Sequence, residues 1–453
     1  MLHWLWNLAS FVVVLGVLVT FHELGHYWVA RRLGVRVQRF SVGFGRPLFK
    51  HVARDGVEWV IAAIPLGGYV KMLDEREAPV PAEWRDQAFN RQTLWKRMAI
   101  VAAGPVANLV LAVVLFWGAF VLGIPGVRPV VGEVVPGSIA DKAGLQVADE
   151  VKTVGDRPVK SWTRFSLLIV EHVGESEELP VTVVRHGETV SLQLPLAEGG
   201  PLGENQSPLE WLGIKPWQPR PAPLVGQIEK NSAAERAGLK PGDKIVAIDG
   251  QEVRIWDDIG EYLVGKAGKS VTISIIRDGK EMTLVAEPGH NKRFPDKGYL
   301  GIAPKLDQQW REAVAKLRTV ERFDIGEAIP RAIDRTWEIL ALSWKGLVKL
   351  LTGHLPISNL SGPVGIAQGA GQSAAVGPAY FLNFMALISV SLAFINLLPI
   401  PLLDGGHLLF YFVELVRRRP VSETAQMMAM KLGLLFMFAM FVLALFNDLN
   451  RLG

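Results

Sequence analysis

The sequence predicts an α-helical membrane protein with about four transmembrane helices and two inserted α+β domains. Hydrophobic residues make up 49% of the 453, and they cluster in four segments that approach or exceed the roughly 20 residues needed to cross a bilayer. These segments are 5–21, 98–127, 377–403 and 424–446. The first three carry no charge, and the fourth contains only Lys431. No Lys or Arg precedes the first segment, so we expect it to stay in the membrane and not to be a cleaved signal.

Basic residues predict the orientation of these segments. The loop from 31 to 97 holds 13 Lys and Arg, and a second basic loop contains Arg417, Arg418 and Arg419. Because cytoplasmic loops are enriched in Lys and Arg, both loops are expected on the cytoplasmic side. Residues 128–376 and both termini then lie on the other side of the membrane.

Net charge and cysteine content exclude several classes of protein. The formal net charge of +4 is too small to indicate nucleic-acid binding, and neither a phosphate-binding loop nor a dinucleotide fingerprint occurs. The chain has no cysteine, which excludes a disulfide framework and a thiol nucleophile. We therefore expect the lipid bilayer, and no nucleic acid, among its partners.

An internal repeat lies between the second and third apolar segments. Residues 131–151 (VGEVVPGSIADKAGLQVADEV) align with residues 225–245 (VGQIEKNSAAERAGLKPGDKI), and Trp162 recurs as Trp256. Each copy reads as a strand, a short helix, a strand, a second helix and a strand pair, and it closes with WLGI or YLGI. The two copies therefore predict two similar α+β domains in tandem.

Each copy resembles a PDZ domain in its bacterial strand order. In such domains the closing segment and the strand beside it accept an extended peptide by strand addition. The resemblance implies binding of peptide C-termini by the closing residues Leu212, Gly213, Ile214, Leu300, Gly301 and Ile302. The alternative is a pair of spacer domains without a ligand.

HELGH directly follows the first apolar segment, which places His22, Glu23 and His26 near the end of a hydrophobic helix. Histidines four residues apart share one helix face and can hold one metal ion. Glu23 stands about 100° around the helix, where a carboxylate can act as general base. Ionisable groups are expensive in a bilayer, so three at ligand spacing indicate a function.

A catalytic zinc site requires a third protein ligand and one open position. Asp404 is favoured because it follows an apolar run that two prolines break, and it precedes Gly405 and Gly406, which we expect to permit a sharp backbone turn. The predicted topology puts Asp404 and the histidines near the same side of the membrane. His407 is the rival ligand.

HELGH, together with NLLPIPLLDGG at residues 396–406, resembles the site-2 protease family of intramembrane zinc metalloproteases. The resemblance covers essentially the whole chain. It implies one Zn²⁺ per chain, held by His22, His26 and Asp404, with Glu23 as catalytic base and Asn396 near the bound substrate.

The resemblance also implies a setting and a class of substrate. The setting is a bacterial inner membrane, with the PDZ-like domains periplasmic and the active site near the cytoplasmic side. The substrates are membrane-spanning proteins such as an anti-sigma factor already trimmed on its outer side, and leftover signal peptides.

Three further segments are candidates for handling substrate. Residues 57–72 are an apolar, strand-prone run that we interpret as a re-entrant β-hairpin, turning at Pro65 and at two glycines; its substrate-binding candidates are Gly67, Gly68 and Tyr69. An ordinary cytoplasmic hairpin is the alternative. Asn359 is a further candidate for a substrate contact, and residues 321–351 have the periodicity of an amphipathic helix on the outer membrane surface.

These observations divide the chain into five regions. A membrane core at 1–127 is followed by the PDZ-like domains at 128–220 and 221–308, by amphipathic and linker helices on the outer membrane face at 309–376, and by a second membrane core at 377–453. Two other functions stay open from the residues alone. One is an inactive membrane-anchored PDZ scaffold, and the other is a metal transporter.

Overall fold

The structure is a computed structural model that describes residues 2–174, 178–203, 206–290, 297–352 and 362–450. Its α-helices are α1 (Leu2–Arg32), α2 (Leu94–Leu122), α3 (Ile139–Lys142), α4 (Trp162–His172), α5 (Pro208–Leu212), α6 (Ala233–Arg236), α7 (Trp256–Tyr262), α8 (Gln308–Leu317), α9 (Ile325–Leu351), α10 (Pro363–Val376), α11 (Pro378–Leu397), α12 (Asp404–Arg417) and α13 (Glu423–Asn450). Its strands are β1 (Val37–Val52), β2 (Glu58–Met72), β3 (Ile124–Val127), β4 (Val131–Val134), β5 (Glu150–Val154), β6 (Arg157–Pro158), β7 (Leu179–Arg185), β8 (Glu188–Leu194), β9 (Ile214–Pro216), β10 (Val225–Ile228), β11 (Lys244–Ile248), β12 (Gln251–Glu252), β13 (Val271–Arg277), β14 (Lys280–Ala286), β15 (Gly289–His290), β16 (Gly298–Tyr299), β17 (Ile302–Pro304) and β18 (Arg318–Glu321).

Within the described ranges, four helices, α1, α2, α11 and α13, are long and apolar enough to cross a membrane by length and composition. They fall in the four predicted segments, although α2 stops at Leu122 and the chain continues as β3. Helix α2 packs against α1, α9 and α11. The shared apolar core includes Val14, Leu18, Leu111, Phe116, Met385 and Val390. This bundle holds the HELGH helix against α2.

Helix α13 is mostly exposed and meets the rest of the protein at one place in its first half and at another near its end. At the first, Gly433 lies so close to Pro401, in the loop before α12, that an added Cβ would fall 3.0 Å from the Pro401 carbonyl carbon. At the other, the buried Asp448 carboxylate accepts hydrogen bonds of 2.9–3.0 Å from the N–H groups of Gly362, Val364 and Gly365. Asp448 thereby ties the last span to the start of α10.

The break after α11 lies where the prolines predict it, but the role expected of the glycines is wrong. The backbone turns at Leu402, whose φ is +98°, whereas Gly405 and Gly406 belong to the first turn of α12. A Cβ on Gly405 would lie 2.5 Å from the Leu397 carbonyl oxygen, and one on Gly406 would lie 2.5 Å from that of Ile400. These glycines are needed for close packing and not for the turn.

Strands β1 and β2 form a sheet beside α1, and its pairing corrects the predicted hairpin at 57–72. The segment is a strand, but its two halves do not pair with each other. Residues 39–42 of β1 lie between them and pair with 68–71 on one side and with 58–61 on the other. The strand bends at Gly67, whose φ is +113°. Strand β1, which precedes this segment and carries basic residues, therefore supplies the pairing partner for both halves.

The two repeats have the same topology. Repeat 1 (131–216) has a four-stranded sheet of order β6-β5-β7-β8 and a pair β4-β9, while repeat 2 (225–304) has β12-β11-β13-β14 and β10-β17. Each also contains a buried ion pair at equivalent positions. Arg185 donates to Asp149 at 2.8 Å in repeat 1, and Arg277 donates to Asp243 at 2.6 Å in repeat 2. The Asp that recurs in the sequence is thus a structural residue.

Both repeats are inserted through one narrow connection. Strand β3, which leads into them, pairs with β18, which leads out, from Val127↔Arg318 to Ile124↔Glu321. Repeat 1 also docks on α9. Both Arg157 and Arg164 contact the Glu338 carboxylate, and Lys349 Nζ donates to the carbonyl of Glu171 at 2.8 Å.

Removing the buried carboxylate of repeat 2 is expected to destabilise that repeat alone. Asp243→Ala removes a buried carboxylate that accepts hydrogen bonds from Arg277 and from the Lys240 N–H, and this loss should open repeat 2 about 10-fold more often. Hydrogen exchange of β11 and β13 in the full-length protein measures this loss as faster opening. The control is Glu252→Ala, which breaks the exposed pair with Arg254 and should leave opening close to that of the wild-type repeat. Equal effects of the two substitutions would contradict the prediction.

The same carboxylate makes repeat 2 sensitive to acid. Burial would raise the pKa of Asp243, but hydrogen bonds from Arg277 and the Lys240 backbone N–H hold this pKa below its ordinary value of 3.8. A lowered folded-state pKa adds stability above pH 3.8 that is lost as the pH falls from there through the folded-state value. Asp243→Asn should remove this part of the pH dependence.

Candidate metal centre

The two histidines of HELGH lie where α1 and α2 touch. His22 and His26 are both 9% exposed. Glycines permit the close contact, since a Cβ on Gly25 would lie 2.7 Å from the Cβ of Ala107. A Cβ on Gly104 would lie 2.6 Å from His26 Cε1 and 2.7 Å from His22 Cε1. The pocket for the two imidazoles therefore depends on a residue of α2 without a side chain.

Gly104→Ala is expected to displace both imidazoles. Because their rings are buried, they cannot swing away freely, and misplacement of catalytic groups by an ångström can cost about 100-fold in rate. We expect a loss of about 10- to 100-fold in turnover, with weaker zinc retention. Gly16→Ala in α1 is the matched control, because nothing lies within 4 Å of its added Cβ. Similar activity of the two variants would count against the described packing.

The hydrogen bond of His26 determines which nitrogen faces the site. His26 Nδ1 lies 2.8 Å from the Ile100 carbonyl oxygen, which can only accept, so Nδ1 carries the proton. In a neutral imidazole, Nε2 then presents a lone pair. That lone pair faces His22 Nε2 at 3.2 Å and Asp404 Oδ2 at 3.5 Å.

Asp404 completes a group of three possible ligands. Its Oδ2 lies 3.1 Å from His22 Nε2, and this oxygen is buried without a hydrogen-bond partner. Among the described residues, His22, His26 and Asp404 form the group that could hold a metal ion. Ligand atoms about 2.0–2.1 Å from a tetrahedral zinc ion stand roughly 3.4 Å apart. The three separations of 3.1–3.5 Å fit that geometry, so the residues present fit zinc.

Helix α12 carries Asp404 in its first turn, and it is held against α2. Arg97 at the start of α2 donates to Glu414 near the end of α12, with Nη2 and Oε1 2.6 Å apart. The guanidinium carbon of Arg97 also lies 4.9 Å from the centre of the Tyr411 ring. These contacts fix the far end of the helix and thereby the position of Asp404.

Glu23 lies beside the three ligands and against the edge of β2. A Cβ on Gly68 would fall 3.2 Å from Glu23 Cγ, and the backbone of Val70, two residues further along β2, lies near the Glu23 carboxylate. The glycine therefore lets the strand pass directly along the carboxylate. The general-base candidate therefore lies directly beside a strand edge.

The other predicted site residues do not belong to the group of three possible ligands. Asn396 is half-buried in the last turn of α11, before the loop that leads to Asp404. Gly67 and Tyr69 lie against the Phe44 ring, with Tyr69 stacked on it at 6.1 Å. His407 is exposed in α12 and is not part of the group of three. Asn359 lies outside the described residues.

The two closing segments of the repeats lie at strand edges. Gly213 and Gly301 have φ of +78° and +76°, and they pack against the serines that begin α3 and α6. In repeat 2 an open groove of about 520 Å³ lies between α7 and the closing segment; the groove is lined by Trp256, Ile259, Leu263, Leu300, Gly301 and Ile302. In repeat 1, Leu212 and Ile214 are buried in the domain core.

Three residues of α2 that contact the histidines were not predicted from the sequence: Ile100, Gly104 and Asn108. The amide nitrogen assigned to Asn108 lies 3.2 Å from His22 Nδ1. A signal was present, since Asn108 is the single carboxamide in the uncharged run 98–127. The Ile100 carbonyl and the Gly104 packing have no comparable signal.

The fold and the site define a membrane-embedded metallopeptidase, and comparison with known proteins gives its family. Residues 10–440 match the sequence profile of Peptidase family M50. The chain belongs to this family and is a zinc metalloprotease.

Relatives match over their full length. The chain is 44% identical to "Regulator of sigma-E protease RseP" of Salmonella typhimurium (strain 14028s / SGSC 2262), and the match covers 100% of each chain. It is 43% identical to the protein of the same name from Escherichia coli (strain K12), again over 100% of both. It is 40% identical to a "Putative zinc metalloprotease" of Vibrio cholerae, over 99% of both.

Proposed function

We propose that this zinc metalloprotease cuts single-span membrane proteins within the bilayer, after their outer domain has been trimmed. The observation that carries the proposal is the convergence of two imidazole nitrogens and one carboxylate oxygen, 3.1–3.5 Å apart, among apolar helices. Such a group is costly in a membrane unless it binds a cation. A neighbouring carboxylate then gives the site a base.

The proposed roles follow from the geometry. His22, His26 and Asp404 hold the zinc ion, which when bound supplies a Lewis acid for the peptide carbonyl and for water. Glu23 takes a proton from the attacking water and returns it to the leaving amine. The glycine at position 68 leaves room for the Glu23 side chain beside the strand edge.

We propose that the substrate unwinds and adds to the sheet as an extended strand. A peptide bond in a transmembrane helix is shielded by its own turn, so the helix must open before cleavage. Strand addition supplies backbone hydrogen bonds in exchange. The segment at Gly67, Gly68 and Tyr69 is the proposed docking edge, because Gly68 lies against Glu23. Asn396, at the end of α11, is a proposed further contact, and the sheet is proposed to re-enter the membrane.

The orientation proposed is that of a bacterial inner-membrane protein with the repeats in the periplasm. Arg31 and Arg32 end α1 on the side where α2 begins, which is the expected cytoplasmic side. At the opposite end of α1, the indole N–H of Trp6 donates to the Gly371 carbonyl at 3.0 Å. Asp448, near the end of α13, accepts a hydrogen bond from the Gly362 N–H just before α10. HELGH lies in the last third of α1, so the active site is near the cytoplasmic side.

The repeats are proposed to select substrates before chemistry. Regions 128–220 and 221–308 would exclude proteins whose outer domain is intact, by size. The groove of repeat 2 would in addition take the C-terminus exposed by the first cut, since β17 has one partner strand among the described residues. The relatives named regulators of sigma-E protease suggest an anti-sigma factor as a substrate of this chain.

The experiment uses the purified full-length protein in liposomes with a tagged single-span substrate, with and without its outer domain. We expect a shortened product from the trimmed substrate, its loss after treatment with a zinc chelator and its return when zinc is added. Deletion of both repeats should allow cleavage of the untrimmed substrate. No product from either substrate would contradict the proposed function, as expected for a scaffold or a transporter. No gain after the deletion would contradict the size filter alone.

A further inference from the structure

We propose that Asn108 is a positioning residue for the metal site. Its side-chain oxygen accepts a hydrogen bond from His22 Nδ1–H, and this bond turns the Nε2 lone pair of His22 toward the zinc ion. The inference rests on the proposed function, because it assigns Asn108 a role toward the metal bound there.

The contact is enclosed on every side. Asn108 is 0% exposed, in the middle of α2. The end of its amide group lies 3.2 Å from His22 Nδ1. Its backbone carbonyl accepts a 2.7 Å hydrogen bond from the Oγ of Ser389, which is also fully buried. Asn108 is therefore enclosed between α1, which carries His22, and α11, which carries Ser389.

The chemistry of the metal decides which amide atom faces the histidine. The oxygen and nitrogen of a carboxamide have nearly the same shape, so their assignment follows from the hydrogen-bond network. If the NH₂ group donated to His22 Nδ1, then His22 Nε2 would carry the proton and could not bind a metal. With the amide oxygen at that position, Nδ1 carries the proton and Nε2 is free. Only the second arrangement is compatible with a zinc ligand.

With the amide oxygen of Asn108 facing His22, both histidines donate their Nδ1–H to an acceptor on α2. His26 Nδ1–H already donates to the Ile100 carbonyl, so α2 supplies one acceptor for each imidazole. Acceptors of this kind fix the tautomer and ring orientation of metal-binding histidines, and their loss typically costs about 10- to 100-fold in metal affinity.

The test measures zinc affinity and not turnover. Full-length protein in detergent is titrated with zinc in competition with a chromogenic chelator, for the wild-type chain and three variants. Asn108→Leu removes the acceptor at similar volume and should weaken zinc binding about 10- to 100-fold. Asn108→Asp keeps an acceptor and should bind zinc at least as tightly as the wild-type chain. Ser389→Ala removes the neighbouring buried hydrogen bond and should leave zinc affinity unchanged.

Three results would overturn the inference: a wild-type affinity for Asn108→Leu, an equal loss for Ser389→Ala, or a failure of Asn108→Asp to exceed Asn108→Leu. The absorption spectrum of bound Co²⁺ gives a second measurement, expected to change in Asn108→Leu and not in Ser389→Ala. A wild-type chain that binds no zinc would instead overturn the proposed metal site, and the inference with it.

Discussion

Glu23→Gln is expected to abolish cleavage while zinc stays bound. Glutamine has the shape of glutamate and fits the same space beside Gly68, but it cannot take a proton from the attacking water. General bases contribute about 10²–10⁴-fold to rate, so product from the trimmed substrate should fall by that factor. The three ligand atoms belong to other residues, which is why zinc content should not change.

The measurement compares product formation and zinc content in the same preparations. Glu83→Gln is the matched control, since it makes the same change at an exposed carboxylate outside the α-helices and should leave cleavage intact. Undiminished cleavage by Glu23→Gln would remove Glu23 from the mechanism. A loss of zinc in the same variant would reassign Glu23 as a ligand.

Asp404→Ala is expected to remove both zinc and activity. It deletes the oxygen that lies 3.1 Å from His22 Nε2 and 3.5 Å from His26 Nε2, and it leaves two ligands where a catalytic site requires three. Loss of a direct ligand should weaken zinc binding by more than the roughly 10- to 100-fold that loss of a supporting hydrogen bond costs. Competition with a chelator measures the affinity, and cleavage of the trimmed substrate measures the activity.

His407→Ala, three residues further along α12, is the control that separates the two candidate ligands. The His407 side chain is exposed, and its ring contacts Phe410 at 6.4 Å between centroids. Zinc affinity and cleavage should therefore remain close to those of the wild-type chain. If His407→Ala lost zinc and Asp404→Ala kept it, the assignment of the third ligand would be reversed.

The sequence predicts the parts of the fold that depend on local pattern. Apolar length locates the four spanning helices, and the recurrence of Asp149 as Asp243 reveals the tandem repeats. The pairing of β1 with both halves of β2 could not be predicted from the sequence. The basic residues of β1 are equally typical of an irregular cytoplasmic loop, so they do not indicate a strand. Strand pairing depends on partners distant in sequence, which a local pattern does not specify.

The candidate site likewise contains some residues that the sequence predicts and others that it does not. The spacing of His22 and His26 predicts two ligands on one helix face, and two prolines mark the break that brings in Asp404. The supporting residues of α2 could not be predicted in their roles, because a backbone carbonyl and a glycine acquire them only from the helix packed against them. The sequence wrongly predicts a turn at the two glycines after Asp404. Their role in close packing depends on backbone atoms that only the folded structure brings near them.

The pairing of β3 with β18 means that the chain leaves and re-enters the membrane core at neighbouring points. Val127 and Arg318 are paired directly, and the Arg128 N–H donates to the Leu317 carbonyl at 2.8 Å. Residues 128–317 therefore form an insertion whose two ends meet. Its removal would need a tight turn between two adjacent strand ends and a new partner for Glu338 of α9, which pairs with Arg157 and Arg164. The proposed selection of substrates and the cutting reaction therefore lie in parts of the chain that can vary in length independently.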